Sequence, residues 1–159
     1  MLEGKNIVLR SLRDSDLEFL EKIENNKENW QFGSEKKQYS RGELVAYIAN
    51  AKLDIALTKQ YRFVIDFRGA LIGFIDLFDY TTESAGVGII ITKKYRNKGF
   101  AKEALEILIN YAFFTLEIDH LHARIRKNNL LSIRLFNSCG FALQSERLGF
   151  QYFIKLAQK

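Results

Sequence analysis

Tyr95-Arg96-Asn97-Lys98-Gly99-Phe100-Ala101-Lys102-Glu103-Ala104-Leu105 sets a basic, glycine-containing turn between an apolar run and an amphipathic one. Upstream, Val87-Gly88-Ile89-Ile90-Ile91-Thr92 is short and rich in β-branched residues, the composition of a buried strand. Downstream, Ala101, Ala104, Leu105, Leu108, Tyr111 and Ala112 recur at the spacing of one apolar helix face. A strand–turn–helix junction aims the free N–H groups of the first helical turn, and the positive end of the helix dipole, into the turn. Lys93, Lys94, Arg96, Lys98 and Lys102 surround the same point. The ligand these features imply is a polyanion.

Outward from that junction the period of the pattern changes along the chain. Ile7-Val8-Leu9 reads as a first strand. Ser15 with Glu18, and Ser40 with Glu43, have capping-box spacing, and each opens a helical pattern. Leu17, Leu20 and Ile23 line the first helix, and Leu44, Tyr47, Ile48 and Ala51 the second. Between them, Asn25 to Tyr39 is polar with Trp30 and Phe32 embedded, the composition of a loop covering a site. Tyr61 to Asp66 and Leu71 to Phe78, separated by Arg68-Gly69, read as a hairpin, and Ala85 to Thr92 as the next strand. A long helix is predicted over about 99–117, followed by a strand from His122 to Arg126. A short helix over about 130–138 is capped by Asn128 or Asn129 and stopped by Gly140. Phe141 to Leu143 and Phe150 to Leu156 make a closing strand pair, with Gly149 near its turn. The order βααβββαβαββ describes an α/β fold: a mixed, mostly antiparallel central sheet with helices on both faces, in a single domain spanning 1–159.

Composition agrees. A chain of 159 residues buries roughly 70% of the surface its unfolded form exposes, enough for a full core without metal or disulfides. Hydrophobic residues at 47% and aromatics at 13% exclude a largely disordered chain. No apolar run approaches the roughly 20 residues needed to span a bilayer, and no signal-peptide core is evident, so a cytoplasmic protein without a membrane partner is expected. One cysteine, Cys139, and two histidines, His120 and His122, make no zinc-ligand pattern, so no metal is expected. The histidines read as structural and Cys139 as a small buried hydrophobe. The net charge of +5 is spread among interleaved acids, and its local excess at Lys93 to Lys102 is met by one phosphorylated ligand rather than by nucleic acid.

Two segments carry a family resemblance. Arg96-Asn97-Lys98-Gly99-Phe100-Ala101 matches the R/Q-x-x-G-x-G/A motif of the GNAT superfamily of N-acetyltransferases, and Asn129-Leu130-Leu131-Ser132, continuing to Gly140-Phe141, resembles its N-x-x-S/A…G-F segment. The order and spacing of both are those of the family, and the likeness runs from Asn6 to about Leu156. Leu9-Arg10-x-Leu12 with Asp16-Leu17 resembles the branch of ribosomal-protein N-terminal and polyamine acetyltransferases. The resemblance implies acetyl-CoA as cosubstrate. Its pyrophosphate would lie on the backbone of Arg96, Asn97, Lys98, Gly99, Phe100 and Ala101, with Gly99 permitting close approach. Its pantetheine arm would run along Ile89, Ile90 and Ile91, and Asn129 and Asn137 match cofactor-contact positions. Gly86 and Gly88 suggest a bulge or close backbone approach, and a strand splayed there would turn free N–H groups on the thioester carbonyl.

The resemblance also implies transfer of an acetyl group to a primary amine, by direct attack in a ternary complex. The acceptor would be a polyamine-like small amine or a protein N-terminus. Many relatives carry a tyrosine acid where this chain has Phe136, and a glutamate where it has Gly86; a phenyl ring has no proton to give. Ser132 is then the candidate acid, and Asp76, with Asp79 behind it, the candidate to hold a water or a cationic acceptor. Solvent can also protonate the thiolate, since general acid catalysis contributes roughly 10²–10⁴-fold rather than the whole acceleration. Trp30, Phe32 and Tyr152 are candidate acceptor contacts, and a homodimer is an expected assembly. The alternative is a non-catalytic acyl-CoA-binding or regulatory module.

Overall fold

The computed structural model describes residues 1–26 and 38–158. Trp30 and Phe32 therefore lie outside the described residues. Among the latter, eight strands form one sheet in the order β1-β2-β3-β4-β5-β6-β8-β7. They are β1 (Leu2–Glu3), β2 (Val8–Ser11), β3 (Tyr61–Phe67), β4 (Ala70–Phe78), β5 (Ser84–Ile91), β6 (His120–Arg126), β7 (Ala142–Arg147) and β8 (Phe150–Leu156). Only β5 and β6 pair in parallel, so the sheet is mixed and mostly antiparallel as expected. The helices are α1 (Leu17–Glu24), α2 (Arg41–Asn50), α3 (Ile55–Thr58), α4 (Phe100–Asn110) and α5 (Leu130–Ser138). β1 and α3 are additions to the predicted order. A π-helical turn, Tyr111–Thr115, extends α4.

Helices cover both faces. Leu20 and Ile23 of α1 and Leu44 and Ile48 of α2 bury one face over Val64 and Phe74. Ala104, Leu105 and Leu108 of α4 and Phe136 of α5 join a larger core on the other. No helix among the described residues is long and apolar enough to cross a membrane.

Local chemistry sets several boundaries. Both turn residues of the β3–β4 hairpin have positive φ, Arg68 at 51° and Gly69 at 90°, as do Leu148 at 52° and Gly149 at 83° between β7 and β8. That combination matches the right-handed strand twist. Ser40 Oγ accepts the Glu43 N–H at 3.1 Å while Glu43 Oε1 accepts the Ser40 N–H at 3.1 Å, so the second capping box forms. The first does not. Ser15 sits inside a 3-10 turn, Asp14–Asp16, because Asp16 takes a stronger set of partners. Its carboxylate accepts the Arg13 N–H at 2.8 Å and both terminal nitrogens of Arg10 at 2.9 Å, and the pair is buried. A bidentate charged pair outcompetes a neutral hydroxyl cap.

The feature that positions the site is where strand pairing stops. β5 stays in register with β4 from Phe78↔Gly86 to Gly73↔Ile91. Its pairing with β6 runs only from Ser84↔His120 to Gly86↔His122. β6 meanwhile continues beside β8 to Arg126↔Phe150. The two central strands therefore diverge after Gly86, and β5 N–H groups turned toward β6 beyond that point are left without a strand partner. The unbroken β4–β5 register corrects the expected bulge at Gly86 and Gly88. What approaches these glycines is side chain: a Cβ on Gly86 would lie 2.4 Å from the Phe78 ring, and one on Gly88 2.7 Å from Asp76 Oδ1.

Candidate active site

On one side of the divergence a cleft of about 250 Å³ opens between β5, the turn before α4, and α5. Ile89, Ile90 and Ile91 form its strand wall. Its floor is the turn: Lys93–Tyr95 makes a 3-10 turn, Asn97 has φ 61°, and Gly99 has φ 87° as it caps α4. Arg96 is fastened to the strand end, its Nε donating to the Ile91 carbonyl at 2.7 Å. Gly99, Phe100, Ala101 and Lys102 carry the lining into the first turn of α4, where backbone N–H groups have no helical partner. Asn129, Leu131, Ser132 and Leu135 supply the α5 wall. Asn129 rather than Asn128 is the cap of that helix, its Oδ1 accepting the Ser132 N–H at 3.3 Å.

Most predicted cofactor positions are thus brought to one cleft. Lys98 and Asn137 are not among its lining and are exposed. Tyr95, Leu131 and Leu135 line it without having been singled out; Leu131 and Leu135, four apart on α5, were the available signal. A shallower depression of about 400 Å³ beside Met1, Tyr111 and Phe114 has no lysine or arginine in its lining. The smaller cleft is the chemically equipped one.

The opposite side of the divergence is different in character. Register places Asp76, Gly88, Gly86, His122, Arg124 and Tyr152 on one face, the face that α1 and α2 cover further along. Asp76 stands opposite Arg62 on β3 and Gly88 on β5. Arg62 is ion-paired with Glu24 and lies 5.2 Å from the Tyr47 ring centroid and 5.4 Å from that of Phe74. Its Nε is buried without a hydrogen-bond partner. Burial pushes the Asp76 carboxyl up to about 6, with Arg62 opposing and Glu24 reinforcing the shift. Burial likewise pushes the Tyr47 hydroxyl up to about 12, although that oxygen accepts Gln60 Nε2 at 2.9 Å. His122 is half-buried, its ring edge-on to Phe78 at 6.2 Å between centroids. Burial lowers its pKa, His120 lowers it further, and Asp79 opposes. Ser132 and Asp76 do not meet: Ser132 lines the cleft, and Asp76 lies on the other face.

An open strand edge beside a basic helix N-terminus is matched by sequence comparison. Residues 6–142 fit the family model described as an acetyltransferase (GNAT) domain. The chain belongs to the GNAT acetyltransferase family. It is 28% identical over 141 residues to spermidine N(1)-acetyltransferase of Vibrio cholerae, covering 87% of this chain and 80% of that protein. The crystal structure of spermidine N-acetyltransferase from Vibrio cholerae in complex with CoA and spermine superposes with a TM-score of 0.86 at 23% identity, over 96% of each chain. The ribosomal L7/L12 alpha-N-protein acetyltransferase in complex with CoA superposes at 0.83 with 15% identity, over 96% of this chain and 95% of that one. These superpositions establish the fold.

As a GNAT acetyltransferase the protein uses acetyl-CoA to acetylate an amine, and its cleft has the chemistry for that cosubstrate. Arg96, Lys102 and the α4 N-terminus present positive charge and free donors suited to a pyrophosphate. Ile89, Leu131 and Leu135 give an apolar wall for an alkyl arm, and the unpaired edge of β5 offers backbone donors and acceptors for its amides. Phe136, at the family's usual tyrosine position, is buried in the core with its ring edge-on to Phe141 at 4.9 Å. It is not part of the cleft lining.

Proposed function

We propose that the protein, as one domain spanning 1–159, acetylates a small cationic amine of the polyamine type, held on the Asp76 face while acetyl-CoA lies in the cleft. The observation that carries this reading is the Asp76 carboxylate at the divergence of β5 and β6, directly across from Gly88. Arg62 is already paired with Glu24, so Asp76 is the carboxylate left to meet an incoming ammonium. A cation next to Asp76 draws it into its charged form and strengthens its own binding. The likeness to spermidine acetyltransferases supports the same class.

In this reading Arg96 to Ala101 hold the pyrophosphate, and Ile89 to Ile91 pair with the pantetheine arm. Free β5 N–H groups past Gly86 polarise the thioester carbonyl. Ser132, on the cleft side, passes a proton to the departing thiolate, directly or through water. Tyr152 borders the acceptor. The setting is cytoplasmic, in keeping with a single cysteine that is buried and unpaired. Two copies assemble through β7, an edge strand exposed along its length; a monomer by sedimentation at micromolar concentration would remove that part. The acceptor is tested by following thiol release from acetyl-CoA across spermidine, spermine, monoamines and peptides with free N-termini. Polyamines are expected to give the highest kcat/KM, and a peptide preference would overturn the acceptor class.

A further inference from the structure

Direct attack requires a neutral amine, yet polyamine nitrogens are protonated at neutral pH, so the acceptor must lose a proton before it attacks, and a base beside the thioester speeds that step. We propose that His122 is that group, the general base of the reaction. This rests on the acetyl-transfer reading above and adds the residue that starts the chemistry.

Gly86↔His122 is the last pair before β5 and β6 part, so His122 stands at the apex of the opening, where the thioester of this reading would lie. Gly86 contributes no side chain there, and its Cβ space is taken by the Phe78 ring. The imidazole packs edge-on against that same ring, 6.2 Å between centroids, on the His122 side of the pair. No described residue hydrogen-bonds to either ring nitrogen, so both remain open to an acceptor or a bridging water. Asp76 flanks the neighbouring Gly88 from the β4 side. Phe78 thus packs over Gly86 and Asp76 over Gly88, so the carboxylate that holds a cation and the imidazole that takes its proton flank one stretch of β5.

The surroundings keep His122 neutral at physiological pH. Burial disfavours its charged form, His120 two residues back adds to this, and Asp79 after β4 opposes. From the other packed elements, β8 places Ile154 opposite His122 and Tyr152 opposite Arg124, while Asp76 faces it across β5. A neutral imidazole just above its pKa is the protonation state a general base needs.

The acceptor ammonium gives one proton to His122, and the freed lone pair forms the C–N bond at the thioester carbonyl. Collapse breaks the C–S bond. The second proton leaves the nitrogen and reaches the thiolate through Ser132 or water, and His122 returns its own proton to solvent. The products are an N-acetylamine, CoA thiol and one proton.

The test compares wild type with His122→Gln at saturating acetyl-CoA and spermidine from pH 5 to 9. In wild type, kcat is expected to rise with pH through a pKa below the ordinary histidine value of about 6.5 and then level off. In His122→Gln, kcat at neutral pH is expected to fall by roughly 10²-fold with KM values and melting temperature little changed. The low-pH limb is expected to disappear, and added imidazole to restore part of the rate. The limb surviving in Asp76→Asn would assign it to His122 rather than to the carboxylate. Wild-type turnover with an unchanged profile in His122→Gln overturns this inference alone, whereas no wild-type turnover of any amine overturns the acetyl-transfer reading as well.

Discussion

Asp76 and Gly88 face each other across β4 and β5, and a Cβ on the glycine would come within 2.7 Å of the Asp76 Oδ1. The carboxylate thus occupies space that only glycine leaves free. Gly88→Ala is expected to displace it, raising KM for a cationic acceptor about tenfold, the equivalent of ~1.4 kcal/mol, with little change in acetyl-CoA affinity. Steady-state kinetics with each substrate varied in turn provides the check.

The same carboxyl should mark the pH dependence of stability. Its pKa is raised from 3.8 to about 6 on folding, so the unfolded chain loses this proton more readily than the folded one. Its contribution is therefore fully present below the unfolded value and is lost as pH rises through about 6. Asp76→Asn, which cannot ionise, is expected to gain stability relative to wild type between pH 4 and 7, by at most about 3 kcal/mol. Denaturant melts at both pH values would show it; an unchanged difference would mean that Asp76 is not desolvated.

Gly99 at φ 87° should resist substitution for a different reason. No atom lies within 4 Å of a Cβ built there, so crowding by the protein is not the obstacle. The backbone is: a left-handed residue other than glycine costs roughly 1 kcal/mol. Gly99→Ala is expected to lower stability by about that amount and, because the new methyl enters the anion cradle, to weaken acetyl-CoA binding by more than tenfold (~1.4 kcal/mol). Calorimetric titration separates the two effects.

Ser132→Ala tests the leaving-group proton. A fall in kcat of about tenfold or more without a change in acetyl-CoA KM is expected, within the range of general acid catalysis. An unchanged kcat would assign protonation of the thiolate to solvent.

How far these features could be read from residues alone varied with how local their causes were. The strand–turn–helix junction was legible because Gly99, the surrounding cations and the helix periodicity lie within a short stretch. The hairpin at Arg68-Gly69 was legible for the same reason. Two-residue β1 and four-residue α3 carry too little periodicity to be seen. The Ser15 capping box failed because its competitor, Arg10, reaches Asp16 from the preceding strand. The direction of Asp76 was undecidable because β4 is buried on both sides, leaving no alternation to orient it. The place of His122 at the last β5–β6 pair was not legible, because it depends on where those strands stop pairing, a long-range event that Gly86 and Gly88 only hinted at.

The most direct measurement follows thiol release from acetyl-CoA in the presence of spermidine, with the acceptor product identified by mass. Stoichiometric release of CoA thiol with formation of mono-acetylated spermidine, reduced in Gly99→Ala and in His122→Gln, is the expected result. Tight acetyl-CoA binding with no acetylated product from spermidine, other amines or peptides would contradict acetyl transfer at the β5–β6 opening.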